Sequence, residues 1–188
     1  MLGLGNSLGK TSSNITPGSG GSPPPLGFDK TWSFDENTES WLTDLNGTLS
    51  HQASYTPSSD SEKTGILVVT RTNNSNATTL YFDLSTLPDY DSTSALYYEI
   101  VYSIPNPNPN GITYTGLDKV FYGAGGSSYN HSSETLFVFN NWVTVNGALA
   151  NRGSNDLFIF DFDPSSFTFV SGAKVFIDSI RVSHTDFR

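Results

Sequence analysis

Ten short segments rich in Val, Ile, Thr, Phe and Tyr, each closed off by Asn, Gly, Ser, Asp or Pro, limit how this chain can fold more than any other feature. They are Thr31–Phe34, Thr48–Tyr55, Gly65–Arg71, Thr78–Phe82, Ala95–Ile104, Lys119–Tyr122, Thr135–Phe139, Trp142–Val145, Asp156–Phe162 and Lys174–Ser183. None shows apolar residues at 3.6-residue spacing over a helical length, so no long helix is expected. Alternation is clearest at Leu96–Tyr102. There Leu96, Tyr98, Ile100 and Tyr102 fall on one face, and Tyr97, Glu99 and Val101 on the other. Phe158, Phe160 and Phe162 share a face in the same way. Short alternating strands with a turn signal between each pair predict an all-β sandwich or barrel. The Pro-spaced stretch Ile104 to Gly111 is read as an extended loop, and no internal repeat is visible.

The first 27 residues stand outside this pattern. MLGLGNSLGKTSSNITPGSGGSPPPLG is mostly Gly, Ser, Thr, Asn and Pro, and cannot bury enough apolar surface to offset its ordering entropy. Gly18 to Ser22 forms a flexible hinge, and Pro23-Pro24-Pro25 stiffens the chain just before the domain. The organisation read from sequence is therefore an extended arm and linker over 1–27 and a single domain over 28–188. The arm's apolar anchors, Leu2, Leu4, Leu8 and Ile15, are the residues expected to dock on a partner protein.

Charge narrows the partners. With 9 Lys+Arg against 18 Asp+Glu, the chain carries a formal net charge of -9, which disfavours nucleic acid and anionic membrane, since both need a basic face. Cysteine is absent, so disulfides and thiolate metal sites are excluded. Met1 to Leu8 reads as too short and broken for a signal peptide, and no stretch approaches the roughly 20 apolar residues of a membrane span.

Two segments at opposite ends of the domain carry a family resemblance. The first is Trp32-Ser33-Phe34-Asp35-Glu36-Asn37-Thr38-Glu39-Ser40-Trp41, followed by a strand ending at Tyr55 and by Gly65-Ile66-Leu67-Val68-Val69. The second is Val175-Phe176-Ile177-Asp178-Ser179-Ile180-Arg181-Val182. Together they resemble the jelly-roll, galactose-binding-like carbohydrate-binding modules that accompany glycanases, over about Phe28 to Ser183. The resemblance implies a jelly-roll β-sandwich with Trp32 and Trp41 in its framework. It also implies a structural calcium ion held by Asp35 and Asp178 with help from Glu36; the competing reading has Asp35 capping a turn and Asp178 sitting in a β-bulge.

Sugar binding calls for aromatic rings beside polar groups on an exposed sheet face or loop. Tyr97 with Glu99, Tyr114, Tyr122 and Trp142 are the sequence candidates, and Trp142 follows the amides of Asn140 and Asn141. Within Phe139-Asn140-Asn141-Trp142-Val143, however, a Trp is more often packing than platform. An enzyme is not expected: His51, His131 and His184 are scattered without a triad pattern, no nucleotide or zinc motif is present, and the Gly-rich Gly123–Ser128 precedes no helix. The arm, the acidic domain and the opening Met-Leu-Gly-Leu-Gly-Asn-Ser-Leu resemble tailed-phage structural proteins. That resemblance implies a non-enzymatic virion accessory protein, on capsid or tail, docked on other virion proteins by its arm. The alternative is a free or enzyme-derived module binding glycan as a monomer.

Overall fold

The computed structural model describes residues 27–72, 78–105, 117–122, 134–136, 139–149, 157–162, 172 and 174–188. Eleven strands are assigned among them: β1 (Asp29–Trp32), β2 (Leu42–Thr43), β3 (Gly47–Tyr55), β4 (Lys63–Arg71), β5 (Thr78–Asp83), β6 (Leu96–Ser103), β7 (Leu117–Tyr122), β8 (Glu134–Leu136), β9 (Val143–Leu149), β10 (Leu157–Phe162) and β11 (Lys174–Ser183). A single 3₁₀ turn, Leu84–Thr86, starts where the Asp83 carboxylate accepts from the Ser85 amide.

The strands form two antiparallel sheets. One runs β3-β4-β11-β6-β9 with β1 also paired to β11, and the other runs β2-β5-β10-β7-β8. The first strand thus pairs with the last, Asp29 opposite Ser183 and Trp32 opposite Ile180, which closes the sandwich as a jelly roll. Between the sheets lies one core, in which Trp32, Trp41, Leu80, Phe82, Tyr98, Ile100, Phe158, Ile177 and Ile180 are buried. Trp41 is its keystone, with ring contacts to Trp32 at 5.2 Å, Phe82 at 5.4 Å and Phe158 at 6.1 Å. Both framework tryptophans are therefore in the core, as expected. A fully buried aliphatic or aromatic side chain contributes about 1.5–3 kcal/mol, so this cluster supplies most of the driving force.

β2 and β9 depart most from the sequence reading; β1 lies two residues earlier than expected, and β4 and β7 begin two residues earlier. β2 was not anticipated, because two residues carry no periodicity; it forms as Trp41 plunges into the core and the chain then runs beside β5. β9 runs on to Leu149, four residues past the expected end at Val145, through Asn146-Gly147. The reason is tertiary. Gly147 lies opposite Tyr98, where a Cβ would meet the Tyr98 hydroxyl at 2.5 Å, so the glycine makes room for a buried ring.

Candidate functional site

In an antiparallel sandwich the outer face of each sheet should be polar. On the five-stranded sheet it is not uniformly so. Along β5, Thr78, Leu80 and Phe82 are buried, and Thr79, Tyr81 and Asp83 face out. Leu42 is opposite Tyr81, Tyr81 opposite Ile159, and Ile159 opposite Phe121. An apolar and aromatic row thus crosses four strands, a span of roughly 14 Å at the usual strand spacing. Beside it runs a polar row: Thr79 opposite Asp161, Asp161 opposite Lys119, and Lys119 opposite Glu134. The core dictates the first row. With Trp41 inside, Leu42 must turn outward, and it is 53% exposed; with Leu80 and Phe82 inside, so must Tyr81.

The outer face of the six-stranded sheet also carries apolar residues, but the chain covers them itself. Ile66, Val68 and Phe176 are 0%, 3% and 6% exposed and form a second small core. Tyr55 lies flat on Phe176 with centroids 3.6 Å apart, and Trp142 meets Tyr55 edge-on at 5.9 Å. Burial pushes the Tyr55 phenol up from its ordinary pKa. Trp142 is fixed from three sides: its amide donates to Asp60 Oδ2 at 3.0 Å, its indole N–H to the Ser61 carbonyl at 2.9 Å, and Lys63 Nζ sits 5.4 Å from its ring centre. The Trp142 and Ser61 amides hold the Asp60 carboxyl below its usual range. Trp142 is therefore half-buried packing that pins the β3–β4 loop to the start of β9.

The other sequence candidates fall as follows. Tyr97 and Glu99 do face outward together on β6, but the Arg188 guanidinium lies 5.1 Å from the Tyr97 ring centre. Glu99 is opposite Arg181, which is held by both carboxylate oxygens of Asp29 at 3.0 and 2.6 Å. Tyr122 is opposite Phe158 in register, one position along from the Phe121–Ile159 pair. Tyr114 and the arm residues Leu2, Leu4, Leu8 and Ile15 lie outside the described residues, as do His131 and Gly123–Ser128. His184 uses both ring nitrogens, Nδ1 at 2.8 Å from the Ala95 carbonyl and Nε2 accepting from the Asp91 amide at 3.0 Å. Sequence reasoning missed Tyr81 and Leu42. The alternation of Thr78–Asp83 marked Tyr81 as outward, but only sheet pairing aligns it with residues far away in the chain.

The acidic residues are engaged locally. Asp178 sits where the β6–β11 register shifts between Ile177 and Ser179, and its carboxylate pairs with Lys63 Nζ at 2.8 Å. Asp35 Oδ2 accepts from the Ser33 hydroxyl at 2.6 Å. Asp35 also lies so close to Gly65 (φ +68) that a Cβ there would meet its Oδ1 at 2.7 Å. The turn before Trp41 is closed by Glu39, whose Oε1 accepts from the amides of Ser33 and Phe34. Calcium requires six to eight oxygens. Among the described residues no three His, Asp or Glu side chains gather as a metal site, and the cation facing Asp178 is an ammonium. Asp178 thus has an ammonium partner at the position where the resemblance implied an ion.

With fold and face described, known structures give the comparison. The xylan-binding CBM22-1 domain of Paenibacillus barcinonensis Xyn10C superposes with a TM-score of 0.56 at 15% identity, covering 84% of this chain and 94% of that one. The chain thus shares its jelly-roll fold with carbohydrate-binding modules. The CBM22-1–GH10 modules of Clostridium thermocellum xylanase 10B, in complex with xylohexaose, match at a TM-score of 0.55 and 13% identity, over 83% of this chain and 28% of that one. A variant of a family 29 carbohydrate-binding module matches at a TM-score of 0.51 and 11% identity, over 84% and 93%. No protein-family model matches the sequence, and no curated protein does.

Proposed function

We propose that this protein binds a neutral polysaccharide chain across the outer face of its five-stranded sheet and carries out no chemistry on it. The observation that carries this reading is the row Leu42, Tyr81, Ile159 and Phe121 in register across four strands, flanked by the row Thr79, Asp161, Lys119 and Glu134. Sugar rings have apolar C–H faces and polar hydroxyl edges, and an apolar row beside a polar one matches both at once. The likeness to xylan-binding modules supports the ligand class. The net charge of -9 favours neutral over acidic glycans. Titration calorimetry against soluble xylan, glucomannan and galactan tests it. Binding to at least one, weakened tenfold or more by Tyr81→Ala, is expected; no binding, or binding indifferent to Tyr81→Ala, overturns it.

The composition of residues 1–27 supports a second component. In this reading the arm docks through Leu2, Leu4, Leu8 and Ile15 on a virion protein, so that many copies display the domain outward and weak glycan contacts gain avidity. A chain lacking residues 1–27 should keep its glycan affinity and fail to enter particles.

A further inference from the structure

A histidine just past β11 ties together two segments that are far apart in the chain. The His184 ring packs against Phe28, with centroids 4.9 Å apart, and stacks on Tyr90 at 5.7 Å. Its backbone amide donates to the Phe28 carbonyl at 2.8 Å. Gly27 lies so close to the next residue that a Cβ there would meet Thr185 Oγ1 at 3.1 Å. The segment after β11 thus holds the first residues of the domain on one side and the 87–95 loop on the other. Between these two segments lies a cleft of about 230 Å³, walled by residues 27–30 and 87–89. The hydrogen bonds of the ring fix its protonation state. The Asp91 amide can only donate, and it lies 3.0 Å from Nε2; the Ala95 carbonyl can only accept, and it lies 2.8 Å from Nδ1. Together these two contacts require a neutral ring with its proton on Nδ1. A second proton, on Nε2, would set an N–H against the Asp91 N–H. His184 is half-buried, so solvent protons reach it.

We infer that His184 is an acid-operated clasp: its protonation frees the Asp91 amide and loosens the 87–95 loop where it borders the cleft at the start of the domain. The charges around the ring allow this. On β1, Asp29 is held by Arg181, and Lys30 sits over the Trp32 ring. On the segment of the ring itself, Asp186 is held by Arg188, which lies over Tyr97 of β6. Glu99 of β6 is opposite Arg181. On the loop, Asp89 lines the cleft and Tyr90 brings an uncharged phenol. The Asp91 carboxylate accepts from Thr93 and Ser94, and the charge of His184 acts on it. It stays on those donors and gives the imidazolium an opposite charge nearby. The protonated ring also keeps its bond to Ala95 and its place beside Phe28 and Tyr90, so the loop moves rather than the ring. The contact with the Asp91 amide is therefore present at neutral pH and lost as pH falls through the range in which histidines titrate.

Nitrogen-15 NMR of the full chain, acidified from about pH 8 to about pH 5, the range in which histidines change charge, tests this. At the alkaline end the His184 ring should show the Nδ1–H tautomer. On acidification the Asp91 amide, corrected for its intrinsic exchange rate, should lose protection several-fold in step with protonation of the ring, while the β6 amides hold theirs. His184→Gln offers the Asp91 amide an acceptor that does not titrate, and should keep the protection constant across the range. Should that variant fail to fold, His184→Asn is too short to reach the amide and should leave it unprotected at every pH. An Nε2–H tautomer at the alkaline end, protection that does not fall with pH, or a fall that persists in the His184 variant would each overturn the inference.

Discussion

The outer faces of the two sheets pose the same problem and answer it differently. Each carries apolar residues where a sandwich is expected to be polar. On the six-stranded sheet, Ile66, Val68 and Phe176 are sealed beneath Tyr55 and Trp142, and the Trp142 indole N–H is satisfied by the Ser61 carbonyl. On the five-stranded sheet, Leu42 is left 53% exposed beside a half-buried Tyr81. An aromatic residue on a sheet face is thus a platform or a lid according to what the rest of the chain lays over it. Among the described residues, Tyr55 and Trp142 cover one face, which makes that face structural, while Leu42 and Tyr81 on the other keep the exposure that the proposed glycan contact requires.

Reciprocal substitutions should break that symmetry. Trp142→Ala removes the lid, and in chemical denaturation it should cost about 2 kcal/mol, below the range of fully buried tryptophans because the ring is only half-buried. Tyr81→Ala should cost less than about 1 kcal/mol, as surface substitutions do. Glycan affinity should move the other way, falling for Tyr81→Ala and holding for Trp142→Ala. A destabilising Tyr81→Ala with unchanged affinity would erase the distinction between the faces.

A smaller effect belongs to the ion pair under the lid. Lys63 and Asp178 are 34% and 18% exposed, so Lys63→Met should cost roughly 0.5–1 kcal/mol. Because the ammonium neutralises Asp178, a chelator should leave the wild-type melting temperature unchanged. A drop on chelation would mean that an ion, not Lys63, ties β4 to β11.

The smallest effect lies on neither face and calibrates both. The Ser94 hydroxyl, then the Thr93 amide and hydroxyl, hold the Asp91 carboxyl down to about 2. A depressed carboxylate stabilises the fold above its unfolded value near 4, and that contribution is lost as pH falls through about 2. Asp91→Asn should therefore flatten the decline in melting temperature between about pH 4 and 2, measured by thermal scans.

Much of the fold was legible because strand alternation is written locally. Leu96–Tyr102 and Thr78–Phe82 announce their buried faces residue by residue, and the segment from Trp32 to Trp41 pointed to the framework tryptophans. The calcium expectation rested on residue types at matching positions. It could not anticipate Lys63, 115 residues from Asp178 in the chain yet 2.8 Å from it in space. Trp142 and Tyr97 were picked as sugar-binding candidates from residue type and neighbours, and the partners they meet, Ser61 and Arg188, are distant in sequence.

By itself, then, the sequence determined an all-β sandwich, an acidic balance and a compositionally distinct arm, because period-two patterning and net charge are properties of the chain alone, while the place of Trp32 and Trp41 in the framework came from the resemblance. Only the tertiary structure decided which outer face is covered. Antiparallel pairing aligns Leu42, Tyr81, Ile159 and Phe121 from four separate segments, and Tyr55, at the end of β3, and Trp142 pack over the opposite face. Exposure depends on what comes to lie above a residue, and residues remote in the chain supply that cover.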